Sequence, residues 1–223
     1  DRKTVYFTRN NYLNGKKGRN KNREVTLKIY KAQINEKGSW TNVTELPFND
    51  DSFSTAHPAL SPDEKRLYFS SNRDGSYGES DLWYVDIGSN GSYSTPKNLG
   101  PEINTEARET FPFISKENTL YFSSDGHLGL GGLDIFGISL NKEGEYSEVT
   151  NLKQPINSNY DDFGFIFDEK KQIGFLSSNR DGGEGSASDD IYKVREACVI
   201  QVLRKVMICL YFLLNFFQIT YLN

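Results

Sequence analysis

Three short runs concentrate the side chains able to do chemistry. Asn72-Arg73-Asp74-Gly75, Asp125-Gly126-His127 and Asn179-Arg180-Asp181-Gly182 set amides, carboxylates, guanidinium groups and an imidazole beside glycine. Further polar groups, Asp50, Asp51, Glu106, Arg108, Glu109, Tyr160, Asp161 and Asp162, fall in comparable connecting segments. Mixed charge with amides and a few aromatics suits recognition of a protein or a glycan, and suits an ordinary solvated rim equally well. The Asp-Gly steps also have a structural explanation, because Asp bonds its own backbone in tight turns and Gly supplies positive φ.

Other chemistries find less support. The loops are rich in carboxylates, yet no DxDxDG spacing with a distal Glu marks a calcium site, and no metal is expected. His57 and His127 belong to no HExxH pattern. A Gly-x-Ser-x-Gly nucleophile elbow is missing. Gly129-Leu130-Gly131-Gly132 and Gly183-Glu184-Gly185-Ser186 lack the following helix that a phosphate loop needs, so no cofactor is expected. A glycosidase-like acid pair depends on separation in space and stays open.

These loops hang from a repeat. RLYFSSNRDG at Arg66 recurs as TVYFTRN at Thr4, TLYFSSDG at Thr119 and QIGFLSSNRDGG at Gln172. The marker aromatics are Tyr6, Tyr68, Tyr121 and Phe175, the last three spaced by 53 and 54 residues, a period that points to a repeat architecture. After each loop comes an acid, an aliphatic and an aromatic: Asp81-Leu82-Trp83, Asp134-Ile135-Phe136 and Asp190-Ile191-Tyr192, with Lys28-Ile29-Tyr30 as the divergent first copy. Asp81, Asp134 and Asp190 are expected to bond loop amides rather than a ligand. A third strand follows a turn at Gly38, Gly91 and Gly144, and a fourth, beginning near His57, Phe111 and Phe163, precedes each marker through a tight charged turn. Strands of 4 to 7 residues are expected throughout.

The unit is therefore a four-stranded antiparallel blade, and the fold an all-β propeller of about three and a half to four blades in an incomplete ring. The boundaries are 1–53 for a partial first blade, 54–107 for the second, 108–159 for the third and 160–197 for a partial fourth. A β-sandwich is the rival architecture. The expected object is an open arc, or an imperfectly closed four-blade ring. Loops after the marker strand and links between blades open on one face, which collects the candidate binding residues Asn72, Arg73, Asp74, Arg108, Glu109, Asp125, His127, Tyr160, Asp161, Asn179, Arg180 and Asp181.

Composition agrees with many short strands. Aromatics reach 13% with 19 Gly. A net charge of -4 offers no basic patch for nucleic acid. Cys198, Cys209 and Met207 all lie near the end, so the body carries no disulfide framework. The chain begins at Asp1, as a processed product or a fragment would. Residues 198–223 shift abruptly to apolar. A membrane anchor wants about 20 apolar residues, and this run is broken by Asn215, Gln218 and Thr220. A helix packed on the last blade, a tail foreign to the original reading frame and, less favoured, an anchor over 206–222 are the alternatives.

The pattern Pro-x-x-Ser-Pro-Asp, LYFSSNRDG and Asp-Leu-Trp-Tyr-Val resembles the WD-like β-propeller repeats of the TolB type. With Ile103-Asn104 and Ile156-Asn157 before each new blade, and Gly-Gly-x-Asp-Ile-Phe ending at Phe136, it looks like the propellers of Gram-negative envelope proteins that end in an OmpA-like domain. Type IX secretion components belong to that group. Lys28, and Asp168-Glu169 where Ser61-Pro62-Asp63 stands in the second copy, depart from the pattern. The resemblance implies a non-catalytic interaction module, periplasmic and outer-membrane-associated, with an envelope protein or a peptidoglycan-associated glycan as partner. The alternatives are a propeller hydrolase or lyase acting on polysaccharide or peptide, and a truncated gene product without independent function.

Overall fold

The computed structural model describes residues 3–13, 16–19, 24–141, 145–180, 189–197, 200–203, 206–209 and 216–221. Gly144 and Asp181 lie outside them. The described residues form strands and turns with no helix.

The first sheet has three strands, β1 (Thr4–Asn10), β4 (Leu27–Ile34) and β5 (Trp40–Glu45), in the order β1-β4-β5. A small hairpin, β2 (Tyr12–Leu13) with β3 (Lys16–Lys17), interrupts it within the polar run NNYLNGKKGRNKNRE between β1 and β4. The second sheet runs β6 (Thr55–Leu60), β7 (Arg66–Ser71), β8 (Asp81–Asp86), β9 (Lys97–Asn98); the third runs β10 (Glu109–Ile114), β11 (Thr119–Ser124), β12 (Asp134–Ser139), β13 (Thr150–Asn151). The fourth begins β14 (Asp162–Asp168), β15 (Ile173–Ser178), β16 (Asp190–Ala197). Every neighbouring pair within these sheets is antiparallel.

The marker strands β7 and β11 are apolar on both sides because the second and third sheets each pack between two others. In β7, Leu67 and Phe69 turn to the first sheet, where Ile29, Leu46 and Phe48 meet them. Tyr68, between them, turns to the third, against Ile114, Leu120, Phe122 and Ile138. A third cluster joins Ile135 and Ile156 to Phe165, Leu176, Tyr192 and Val194 across the next interface. Each fully buried Leu or Phe contributes about 1.5–3 kcal/mol. Such layers hold only as a stack, which is the physics of a propeller.

The outer strands are shorter than expected, two residues each in β9 and β13. A serine causes this in both sheets. The Ser94 hydroxyl accepts the Asp86 amide, and the Ser147 hydroxyl accepts that of Ser139, each standing in for a ladder carbonyl. The tail also differs from the packed helix that was one of the alternatives for it. Its described residues form a hairpin, β17 (Ile200–Leu203) with β18 (Val206–Cys209), and then β19 (Phe216–Tyr221), which pairs antiparallel with β16 from Tyr192↔Tyr221 to Ala197↔Phe216. The fourth sheet thereby acquires the outer strand that the repeat up to Ala197 leaves out. No helix long and apolar enough to cross a membrane occurs among the described residues.

Candidate functional site

Three devices recur from blade to blade around the axis and the loop face. The first is the bulge in each inner strand. Register shifts at Ala56/Ala59, Thr110/Phe113 and Phe163/Ile166 insert an extra residue, and the corresponding residues His57, Phe111 and Gly164 take φ of 55°, 49° and 63°. Left-handed backbone at a bulky residue costs on the order of 1–3 kcal/mol and persists only where its surroundings enforce it. The bulges bring rings together: His57 stacks on Phe111 at 4.0 Å, and Phe111 meets Phe163 at 5.1 Å. His57 Nδ1 lies 2.8 Å from Thr110 Oγ1 and 3.1 Å from Ser70 Oγ, and burial pushes the imidazole pKa down to about 4. The ring is therefore neutral near pH 7. His57, Phe111 and Gly164 line, with Pro58, Pro112 and Phe165, an apolar groove of about 420 Å³.

The second device is an asparagine in each link between blades. The Asn104 side chain accepts the Leu82 amide at 2.7 Å and donates to the Leu82 carbonyl at 3.0 Å; Asn157 does the same to Ile135, and Asn49 to Ile29. Each fastens its link to both backbone groups of one residue in the third strand.

The third device corrects the expectation that the loop arginines face a partner. Arg73 is buried, its Nη2 donating to the Phe48 carbonyl (3.3 Å) and Thr55 Oγ1 (3.0 Å) and its Nε to Ser71 Oγ (3.0 Å). Its guanidinium lies 4.8 Å from the Phe53 ring and 4.9 Å from Phe69, and burial lowers its pKa to about 10, still cationic at neutral pH. Arg180 repeats this with Pro155 O, Ile156 O, the Asp162 carboxylate and the Tyr192 ring. In the third blade, whose loop lacks the Asn-Arg pair, His127 Nε2 donates to Ile103 O at 2.8 Å. Phe48, Ile103 and Ile156 each precede a link asparagine, so one carbonyl per link is clamped by the loop of the following blade. The clamps need long cationic or ring donors because the target carbonyl belongs to the neighbouring unit.

Glu109 also lies inside, not on the rim. Its carboxylate accepts the Thr105 amide and hydroxyl and the Ser124 hydroxyl, and the side chain is fully buried. Asp162 occupies the same place in the fourth sheet, accepting from Ser158 and Arg180. The inner strands begin two residues or one residue ahead of the apolar run read from sequence, and this draws the acids into the core.

Asp81 accepts the Tyr77 and Gly78 amides, and Asp134 those of Leu130 and Gly131. At the equivalent place Lys28 bridges Asp51 (2.7 Å) and Glu45 (2.8 Å) instead. Burial opposes its charge, but the two carboxylates outweigh that and its pKa is raised.

What remains on the loop face is narrower than the expected set. Asn72 Oδ1 accepts the Ser54 amide, and Asn179 exchanges hydrogen bonds with Asp161, which also accepts the Leu133 amide. Asp74 is exposed. Arg108 makes two bonds to Asp125 Oδ2, at 2.8 and 2.6 Å, with Glu79 at 3.7 Å. Ser80 bridges Arg108 in parallel, so loop and link do share this face. Among these polar groups stand Tyr77, Leu128, Leu130 and Tyr160, large and exposed, Leu128 at 94%. Sequence reasoning had no signal for Tyr77, Leu128 and Leu130, because exposure of an apolar side chain is decided by what packs beside it.

Sheets stacked edge to axis, with loops and links on one face, define a partial β-propeller. The same fold occurs in a putative TolB from Agrobacterium tumefaciens, with a TM-score of 0.54 and 16% identity over 87% of this chain and 61% of that one. It also occurs in an α-L-arabinofuranosidase from Lactobacillus brevis, at 0.53 and 11% over 87% and 69%. TolB from Acinetobacter baumannii aligns at 0.46 with 14% identity over 75% and 35%. The chain thus spans about a third to three fifths of the TolB chains it matches. No protein-family model and no curated protein sequence matches it.

Proposed function

We propose that this chain is the protein-interaction module of a larger cell-envelope protein and binds its partner on the loop face. The observation that carries this reading is a contrast within that face. Arg73, Arg180, Glu109 and Asp162 are consumed inside the arc, while Tyr77, Leu128, Leu130 and Tyr160 stand exposed on loops held by Asp81, Asp134 and Asp161. Exposed apolar and aromatic side chains on an ordered polar rim are the composition of a recognition surface. A hydrolase reading would need accessible acids near the axis, and Glu109 and Asp162, which open two of the inner strands, are engaged by hydroxyls, amides and a guanidinium. The sequence resemblance to envelope propellers carrying an OmpA-like domain, type IX secretion components among them, and the fold shared with TolB support a periplasmic, outer-membrane-associated setting. The partner is then an envelope protein or a peptidoglycan-associated glycan.

Affinity capture from envelope extract tests this. A Tyr77→Ala, Leu128→Asp, Tyr160→Ala chain is expected to lose the partner that the unaltered chain retains, with an unchanged melting curve. Capture undiminished by the triple substitution would refute the loop face, and turnover in a screen of glycans and peptides would move the reading to the hydrolase.

A further inference from the structure

A depression of about 640 Å³ opens on the loop face between the second and third sheets, walled by Tyr77 of one loop, Gly126 of the next and residues 104–107 of the link. Close backbone contact shapes it. A Cβ at Gly78 would strike the Ala107 carbonyl, and one at Gly126 the Thr105 hydroxyl, so both loops press on the link. The Glu79 amide donates to the Ala107 carbonyl at 2.8 Å and completes the seam. The walls are thus fixed before any ligand arrives.

The hydrogen-bond donors of the lining are almost all spent. The Tyr77 amide goes to Asp81, the Asn104 amide to the Gly100 carbonyl, and the Asn104 side chain to Leu82 and Asn98. Thr105 gives its amide and hydroxyl to Glu109, Ala107 its amide to the Thr105 hydroxyl, and Gly126 its amide to Ser124. Two side chains with recognition chemistry remain: the Tyr77 ring, 52% exposed, and the exposed Glu106 carboxylate. The scaffold requires neither. One blade on, Gly131, Asn157 and Ser158 repeat Gly78, Asn104 and Thr105, while Leu130 and Asn159 stand where Tyr77 and Glu106 do. Glu79 and Glu102, exposed in the same loop and link, add negative charge, and the exposed base of that link, Arg108, is bonded to Asp125.

We propose that this depression takes an arginine side chain presented by the partner protein, the guanidinium lying on the Tyr77 ring and paired with the Glu106 carboxylate. The site deepens the loop-face reading and rests on it. A planar cation is attracted to an aromatic face and carries the donors that a carboxylate accepts. A sugar is a poorer match, because its hydroxyls call for donors as well as acceptors and the lining has spent nearly all of its own. Lysine pairs with the carboxylate but lacks the plane that stacks on the ring.

Amide NMR titration of the full chain with N-acetyl-arginine N-methylamide tests this, with the citrulline analogue as an uncharged control of the same shape and chitotriose as the sugar. The expected result is saturable shifts at Tyr77, Glu106, Ala107 and Gly126 for the arginine probe, binding at least about fivefold weaker for citrulline, and no shift there for chitotriose. Glu106→Gln and Tyr77→Leu, both at exposed positions, are each expected to weaken the arginine probe about twofold to fivefold with an unchanged circular dichroism spectrum. Added salt is expected to weaken it as well. Citrulline equal to arginine, chitotriose in the depression, or no saturable shift at these amides overturns the proposal. A null titration beside a partner lost on the Tyr77→Ala, Leu128→Asp, Tyr160→Ala substitution would remove this pocket and leave the loop face standing. Capture that survives the triple substitution, beside an intact arginine titration, would remove the loop-face reading and keep the cation site.

Discussion

Replacing Arg73 by alanine distinguishes an inter-blade clamp from a partner contact. The substitution strips the Phe48 carbonyl and the Thr55 hydroxyl of a donor and removes a cation from among the Phe53, Phe69 and Trp83 rings. An orphaned buried acceptor costs about 1–3 kcal/mol. Lost cation–π attraction adds about 0.5–2 kcal/mol, and the space left by the aliphatic stem about 1–2 kcal/mol. Relief of the buried charge offsets part of this, since burial alone pulls the guanidinium pKa down to about 10. The net loss is about 2–4 kcal/mol, which lowers the melting midpoint of a chain of this size by roughly 4–16 °C. Arg108→Ala is the control. Its guanidinium is half exposed, so the ion pair with Asp125 is worth less than about 1 kcal/mol after solvent screening. Urea and thermal melts of both variants, beside partner capture, decide the matter. If Arg73→Ala melts like Arg108→Ala and loses the partner, the clamp reasoning is wrong and the guanidinium is a contact.

Two further outcomes follow from the same geometry. The His57 pKa is depressed from 6.5 to about 4, so between those values the unfolded chain binds the extra proton. Stability is fully present above about pH 6.5 and falls by about 2–3 kcal/mol as pH drops toward 4; an NMR titration of the His57 ring should show its midpoint near 4, and His57→Gln should flatten the acid limb of the stability curve. Asn104→Ala should cost about 2–3 kcal/mol in a denaturant melt, because both Leu82 backbone groups lose a buried partner, and Asn104→Asp should not restore it, having no donor for the Leu82 carbonyl.

The legible part of the fold was the part that repeats. The marker at Tyr68, Tyr121 and Phe175 and the acids at Asp81 and Asp134 stand at one spacing, and a blade needs its buried strand and its loop-closing carboxylate at one spacing too. The Ile-Asn pairs were visible as a pattern, while their action on the Leu82 and Ile135 backbones was not, because the partner lies 22 residues away. The rim was misjudged at Arg73, Arg180 and Glu109 for a common reason. Charge predicts exposure only when no neighbour supplies hydrogen bonds, and here carbonyls of the preceding link and hydroxyls of the same blade supply them. The tail was read from composition alone, which cannot see that residues 216–221 find an open edge on β16.

By itself, then, the sequence determined the blade: strand count, turn chemistry, loop placement and the apolar alternation that forces sheets to stack are all local periodicities, and local periodicity survives in one dimension. The tertiary structure decided which polar groups are spent inside and which apolar ones are left on the loop face. Those properties belong to pairs of residues far apart in the chain, whose distance only the stacking of blades sets.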